Sequence, residues 1–169
     1  MPQNDQALLM RLRGHGLEFV LIGGVCAVFY GAPLATFDLD ICCQFGEENL
    51  KRVEAAVRDL HPVHRLTANK LPFQLMPHLS RELRNISLQT DLGKLDWLSE
   101  VVGVGNYDDV LKQSVAATFS YGEFRFLSLE ALIASEEAVG RERDLLAVRQ
   151  LRAIKETLDE RQKNRPSGT

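Results

Sequence analysis

The chain has 169 residues, enough for about one domain at roughly 150 residues apiece. Its residues are 45% hydrophobic and 25% charged, an ordinary globular mix that excludes collagen-like, disulfide-scaffold and wholly disordered chains. The 20 Lys and Arg against 23 Asp and Glu leave a net charge of −3, so nothing calls for the large phosphate footprint of a general nucleic-acid binder.

Residues Ala7 to Arg13 read as a short amphipathic helix ended by Gly14-His15-Gly16. Leu17 to Ile22 (LEFVLI) is a compact apolar run closed by Gly23-Gly24, which suits a buried strand. Val25 to Tyr30 reads as a short helix broken at Gly31-Ala32-Pro33. Thr36 to Cys43 (TFDLDICC) is a second strand, whose alternation places Asp38 and Asp40 on one face and Phe37, Leu39 and Ile41 on the other. The uncharged stretch Phe19 to Phe37 is long enough to suggest a membrane span. Its glycines, its proline and the acids that follow argue instead for strand, turn, helix and loop. The polar start, Met1 to Asp5, lacks the basic region of a signal peptide.

Glu47 to Leu60 reads as a helix with acids in its first turn and an apolar stripe of Leu50, Val53, Val57 and Leu60. His61 to His78 holds three prolines and is expected to be irregular, with His61, His64 and His78 at the surface rather than binding metal. Ile86 to Thr90 and Lys94 to Leu98 are strand patterns, and Asp91-Leu92-Gly93 has the length and chemistry of a hairpin loop. In the second of these, Trp97 is expected to face the core, opposite Asp96. Gly103 to Asn106 reads as a loop, Tyr107 to Ser114 as a short helix and Phe124 to Leu127 as a last strand. Ser128 is a candidate N-cap for a helix over Leu129 to Val139. Gly140 breaks that helix, a longer one follows from about Asp144, and Lys163 to Thr169 reads as a frayed tail. Residues 141–169 carry eight Lys/Arg against five Asp/Glu, an asymmetry that suits a solvated helix face. Cys26, Cys42 and Cys43 are too few and too close for a disulfide framework, and suit small buried hydrophobes in a reducing cytosol.

The chemistry concentrates at Gly23-Gly24 and, after thirteen intervening residues, Asp38-Leu39-Asp40. Two carboxylates on one strand face, about 6.5 Å apart along the backbone, repel unless cations neutralise them. Divalent metal ions do so with oxygen ligands. A diglycine after a buried strand lets a phosphate approach the backbone. Asp96, in the apolar strand Lys94-Leu95-Asp96-Trp97-Leu98, is the candidate third carboxylate, as metal ligand or as base toward a hydroxyl. Asp91 is its rival but is explained as turn chemistry. A phosphate cradle beside a metal platform suits phosphoryl or nucleotidyl transfer.

The run VLIGGVCAVFYG followed by TFDLDI resembles the signature of the nucleotidyltransferase (DNA polymerase β-like) superfamily, and within it the minimal group that includes toxin–antitoxin nucleotidyltransferases. ISLQTDLGKLDWLSEVVGVGNYDDVL resembles that group's third-acid segment, and FLSLEALIASEEAVGRERDLLAV its C-terminal helical motif. The resemblance implies an α+β fold: a small mixed β-sheet core over 1–128 with flanking helices, and C-terminal helices over 129–169 packed on it as one structural domain. It implies a magnesium-dependent, ATP-binding type of enzyme, in which Asp38, Asp40 and Asp96 bind two Mg²⁺ (Mn²⁺ substituting). Gly23, Gly24 and Thr36 would line the nucleotide, and Arg141 would meet phosphate. The implied activity moves a nucleoside monophosphate from an NTP to a hydroxyl on an RNA 3′ end, a protein side chain or a small molecule. The implied setting is cytoplasmic, without membrane, with a cognate toxin or antitoxin as partner. One departure stands out: Glu136 occupies the position of the motif's Lys, and an acid there repels phosphate. The competing reading is a catalytically degenerate member of the fold that serves as a binding or antitoxin partner.

Overall fold

The computed structural model describes residues 3–75 and 83–164. His78 and the end of the polar tail lie outside the described residues. In chain order the elements are α1 (Asp5–Gly14), β1 (Val20–Leu21), α2 (Gly23–Phe29), β2 (Leu39–Cys42), α3 (Glu47–Val57) with a 3-10 turn, and β3 (Val63–His64). There follow β4 (Asn85–Thr90), β5 (Gly93–Leu98), β6 (Glu100–Val101), β7 (Gly105–Asn106), α4 (Tyr107–Lys112), β8 (Ser114–Phe119), β9 (Gly122–Leu127), α5 (Leu129–Val139) and α6 (Glu142–Lys163).

Seven strands form one mixed sheet in the order β3-β4-β5-β2-β1-β9-β8, and β6 and β7 form a separate small hairpin. β1 pairs antiparallel with β2 and parallel with β9, while β2 pairs parallel with β5. The sheet is therefore α+β and mixed, as expected. Its middle strands are the apolar runs picked out from the sequence. Leu39, Ile41, Leu95 and Trp97 are completely buried, so the alternate positions Asp40 and Asp96 are left on the other face.

Helix ends follow local chemistry. Asn4 Oδ1 accepts from Ala7 N at 3.0 Å, and Ser128 Oγ accepts from Ala131 N at 3.3 Å, each satisfying an amide that lacks an intrahelical partner. α1 buries Leu8, Leu9 and Leu12, and α3 buries Leu50, Val53, Ala56 and Val57. Leu129, Leu132, Ile133, Val148 and Leu151 of the last two helices join the same apolar cluster as the sheet strands.

The structure corrects several boundaries. β2 begins only at Leu39, so Phe37 does not share the buried face of Leu39 and Ile41 but stands 69% exposed. α2 starts on the diglycine itself instead of after it. β7 takes Gly105 and Asn106 of the expected loop and pairs with β6 just before it, and β8 is an additional edge strand. β3 places two residues of the expected irregular stretch in the sheet. No helix among the described residues is long and apolar enough to cross a membrane.

Candidate active site

The site is assembled by strand register. Asp40 of β2 is the direct partner of Asp96 of β5, and Asp96 is the direct partner of Ser87 of β4. Laterally paired residues project from the same face, so these three form a row across the sheet. Asp38 lies two residues before Asp40, at the entrance of β2. The outcome is that one carboxylate oxygen from each of Asp38, Asp40 and Asp96 lies within 4.8 Å of the other two. The three acids singled out from the sequence are thus brought together.

The glycine notch sits against them. Gly23 adopts φ +59°, and a Cβ there would stand 2.5 Å from Asp40 Oδ2. Gly24 meets Thr36 the same way: a Cβ would come 2.7 Å from Thr36 Oγ1 and 2.9 Å from its Cβ. Thr36 Oγ1 donates to Asp38 O at 2.9 Å. Thr36 therefore braces the approach to β2 and fills the space that any side chain at position 24 needs.

Electrostatically the cluster is short of positive charge. Burial, reinforced by Asp38 and Asp96, pushes the Asp40 carboxyl up to about 7. Burial also raises Asp96, against the opposing pull of Arg65 and Ser87. Among the described residues Asp96 Oδ1 is buried without a hydrogen bond of normal geometry, an orphaned acceptor of the kind that an ion or water satisfies. A tight set of hard oxygen donors with an unsatisfied member fits a divalent cation. The residues present thus suit the magnesium ions that the resemblance implies.

One contributor carried no motif. Arg65, just after β3, pairs through Nη2 with Asp96 Oδ2 and lies 3.7 Å from Asp38 Oδ2. In the sequence it lay within a stretch expected to be irregular, which the structure shows to hold β3. Next to it, a cavity of about 280 Å³ lies between Leu66, Thr67, Phe73, Leu75, Leu83 and Ser87.

Arg141 is engaged elsewhere. It precedes α6, and its Nε and Nη2 donate to Asp144 at 2.7 and 3.2 Å. Its backbone N donates to the same carboxylate at 3.1 Å. Asp144 is only 4% exposed, and these bonds hold its carboxyl below the usual range despite its burial. The Gly-Arg-Glu-Arg-Asp stretch thus builds the start of α6. Asp40 and Glu136 are both close enough to stabilise the Arg141 charge. Burial, with Asp144 adding to it, pushes Glu136 up to about 6.

Among solved structures, the chain is similar to the lincosamide antibiotic adenylyltransferase LnuA in its lincomycin-bound form, at TM-score 0.62 and 14% identity over 91% of this chain and 99% of that one. The fold is that of a nucleotidyltransferase. Weaker likenesses are to the Thermotoga maritima protein TM1012 (TM-score 0.47, 16% identity, 90% of this chain and 89% of that one) and to JHP933 from Helicobacter pylori (TM-score 0.45, 17% identity, 85% and 61%). No protein-family model and no curated protein matches the sequence.

Proposed function

We propose that the protein is a metal-dependent nucleotidyltransferase that moves a nucleoside monophosphate from an NTP to a hydroxyl acceptor. The observation that carries this reading is the convergence of Asp38, Asp40 and Asp96 within 4.8 Å beside a glycine notch, in a nucleotidyltransferase fold. Asp38, Asp40 and Asp96 would hold two Mg²⁺ ions, for which Mn²⁺ could substitute. When bound, such ions offset the phosphate charge and favour ionisation of the attacking hydroxyl.

The chain's own residues do the rest. Gly23 and Gly24 leave room for the triphosphate against the backbone, and Thr36 holds the wall of that cleft. Arg141 offers the phosphates a cation from the start of α6. The acceptor oxygen attacks the α-phosphorus, forming the new P–O bond as the bond to the β-phosphate's bridging oxygen breaks, and pyrophosphate leaves. The hydroxyl proton passes to a carboxylate oxygen of Asp96, the acid beside Asp40 in the neighbouring strand. The test is incubation with α-labelled NTPs, Mg²⁺ and cell extract. Label transfer that disappears in Asp38→Ala is the expected result, and no transfer with either protein overturns the reading.

A second reading is favoured by one feature. Glu136 adds negative charge near Asp40, where the resembling motif has a Lys. In that reading the chain is a degenerate nucleotidyltransferase that binds a cognate toxin or antitoxin. Calorimetry separates the two: nucleotide–Mg²⁺ binding supports the enzyme, and its absence supports the binding partner.

A further inference from the structure

Arg65 is the cation that faces Asp38 and Asp96 from the β3 side. Its stem is fixed. Arg65 N donates to Ser87 O at 3.0 Å. The turn that follows is closed by His64 N on Leu71 O at 2.8 Å, with Thr67 Oγ1 donating to His64 O at 3.0 Å and accepting from Leu71 N at 3.2 Å. Its head is poorly satisfied. Nη2 makes both carboxylate contacts, while Nε is buried without a partner among the described residues. A guanidinium presents five donors in a planar fork that matches phosphate in bidentate fashion. It is therefore held by the acids in a geometry that a phosphate would improve on.

The charges make the same point. Among the described residues Arg65 is the guanidinium in contact with these carboxylates, with Arg141 nearer Asp40, so a divalent ion arriving alone meets Arg65 as a like charge on the oxygens it needs. A triphosphate changes that balance by giving the fork another anion.

Resting on the nucleotidyltransferase reading, we propose that Arg65 couples metal binding to nucleotide binding. Its guanidinium holds Asp96 and Asp38 until a triphosphate takes it over, and only then do the carboxylates become available to metal. Coupling of this kind is reciprocal: nucleotide tightens metal by the factor by which metal tightens nucleotide.

The experiment titrates Mn²⁺ by electron paramagnetic resonance, with and without α,β-methylene-ATP, in the wild type, Arg65→Gln and Arg65→Lys. Melting curves first establish that each variant folds. Arg65→Gln is expected to bind Mn²⁺ alone about tenfold more tightly than the wild type, and to lose about tenfold of the tightening that nucleotide gives. Arg65→Lys, which keeps the charge without the fork, is expected to lose a smaller part. Should Arg65→Gln not fold, Arg65→Lys carries the test. Coupling equal to the wild type in the folded variants overturns the proposal. A wild type that binds neither nucleotide nor Mn²⁺ overturns the nucleotidyltransferase reading itself, a different and recognisable failure.

Discussion

Asp40 and Asp96 stand directly opposite one another in the parallel β2–β5 ladder, so two like charges rise side by side from one face of the sheet. Without metal this arrangement costs stability. The Asp40 carboxyl moves from 3.8 to about 7 on folding. The folded chain therefore binds more protons than the unfolded chain between those values, and stability falls as pH rises through that window. Asp40→Asn removes the slope. In EDTA it should gain on the order of 1 to 3 kcal/mol at about pH 8 and little at about pH 4, as read by urea melts. The same variant should lose nucleotidyl transfer.

The Gly24–Thr36 contact predicts a coupled pair. Gly24→Ala places a methyl group 2.7 Å from Thr36 Oγ1 and should cost about 1 to 3 kcal/mol by overpacking. Thr36→Gly removes the obstacle. In a double-mutant cycle the pair should therefore cost less than the two singles together, by about 1 kcal/mol or more. Additive effects would show that the contact is not felt.

Arg141 and Asp144 should separate in their effects. Asp144→Ala removes the carboxylate that caps α6 and should lower stability by about 1 to 2 kcal/mol, leaving nucleotide affinity nearly unchanged. Arg141→Ala should lower both stability and nucleotide affinity. Melting curves and calorimetry on the two variants check this. Equal nucleotide affinities in Arg141→Ala and the wild type would confine Arg141 to its structural bond.

The cavity beside Arg65 gives a fourth expectation. Leu66 is 74% exposed at its edge, so Leu66→Asp should change stability by no more than about 0.5 kcal/mol. If the acceptor enters there, its KM should rise about tenfold while the KM for nucleotide stays constant. Steady-state rates with the acceptor fraction found in extract measure both.

The middle of the sheet was legible because burial there is strict. Each acid interrupting an apolar run had to face away from its neighbours, and Trp97 marked the buried side opposite Asp96. Legibility failed where that constraint lapses. Phe37 is apolar but precedes the first paired residue of β2, so its alternation with Leu39 has no ladder to enforce it. β8 is an edge strand with a largely exposed face, and its Ser-Val-Ala-Ala-Thr-Phe has little apolar contrast. α6 begins before Asp144 because an arginine with its acid partner, rather than Ser, Thr, Asn or Asp, closes its first turn. Arg65 escaped notice because its role depends on an ion pair across 31 residues of sequence, which no local spacing encodes. The notch was half legible: the glycines stood out, but that Asp40 and Thr36 are what require them is a fact of packing.

The three thiols lie inside the frame that carries these acids. Cys42 ends β2, Cys43 follows it, and Cys26 lies in α2 with its Sγ donating to Leu127 O at 3.3 Å; all three are buried. An alkylating reagent can reach them only when the core around β2 and α2 opens. The rate of their modification is thus a natural clock for breathing of this scaffold, and a ligand that tightens the carboxylate cluster should slow it without touching a sulfur atom.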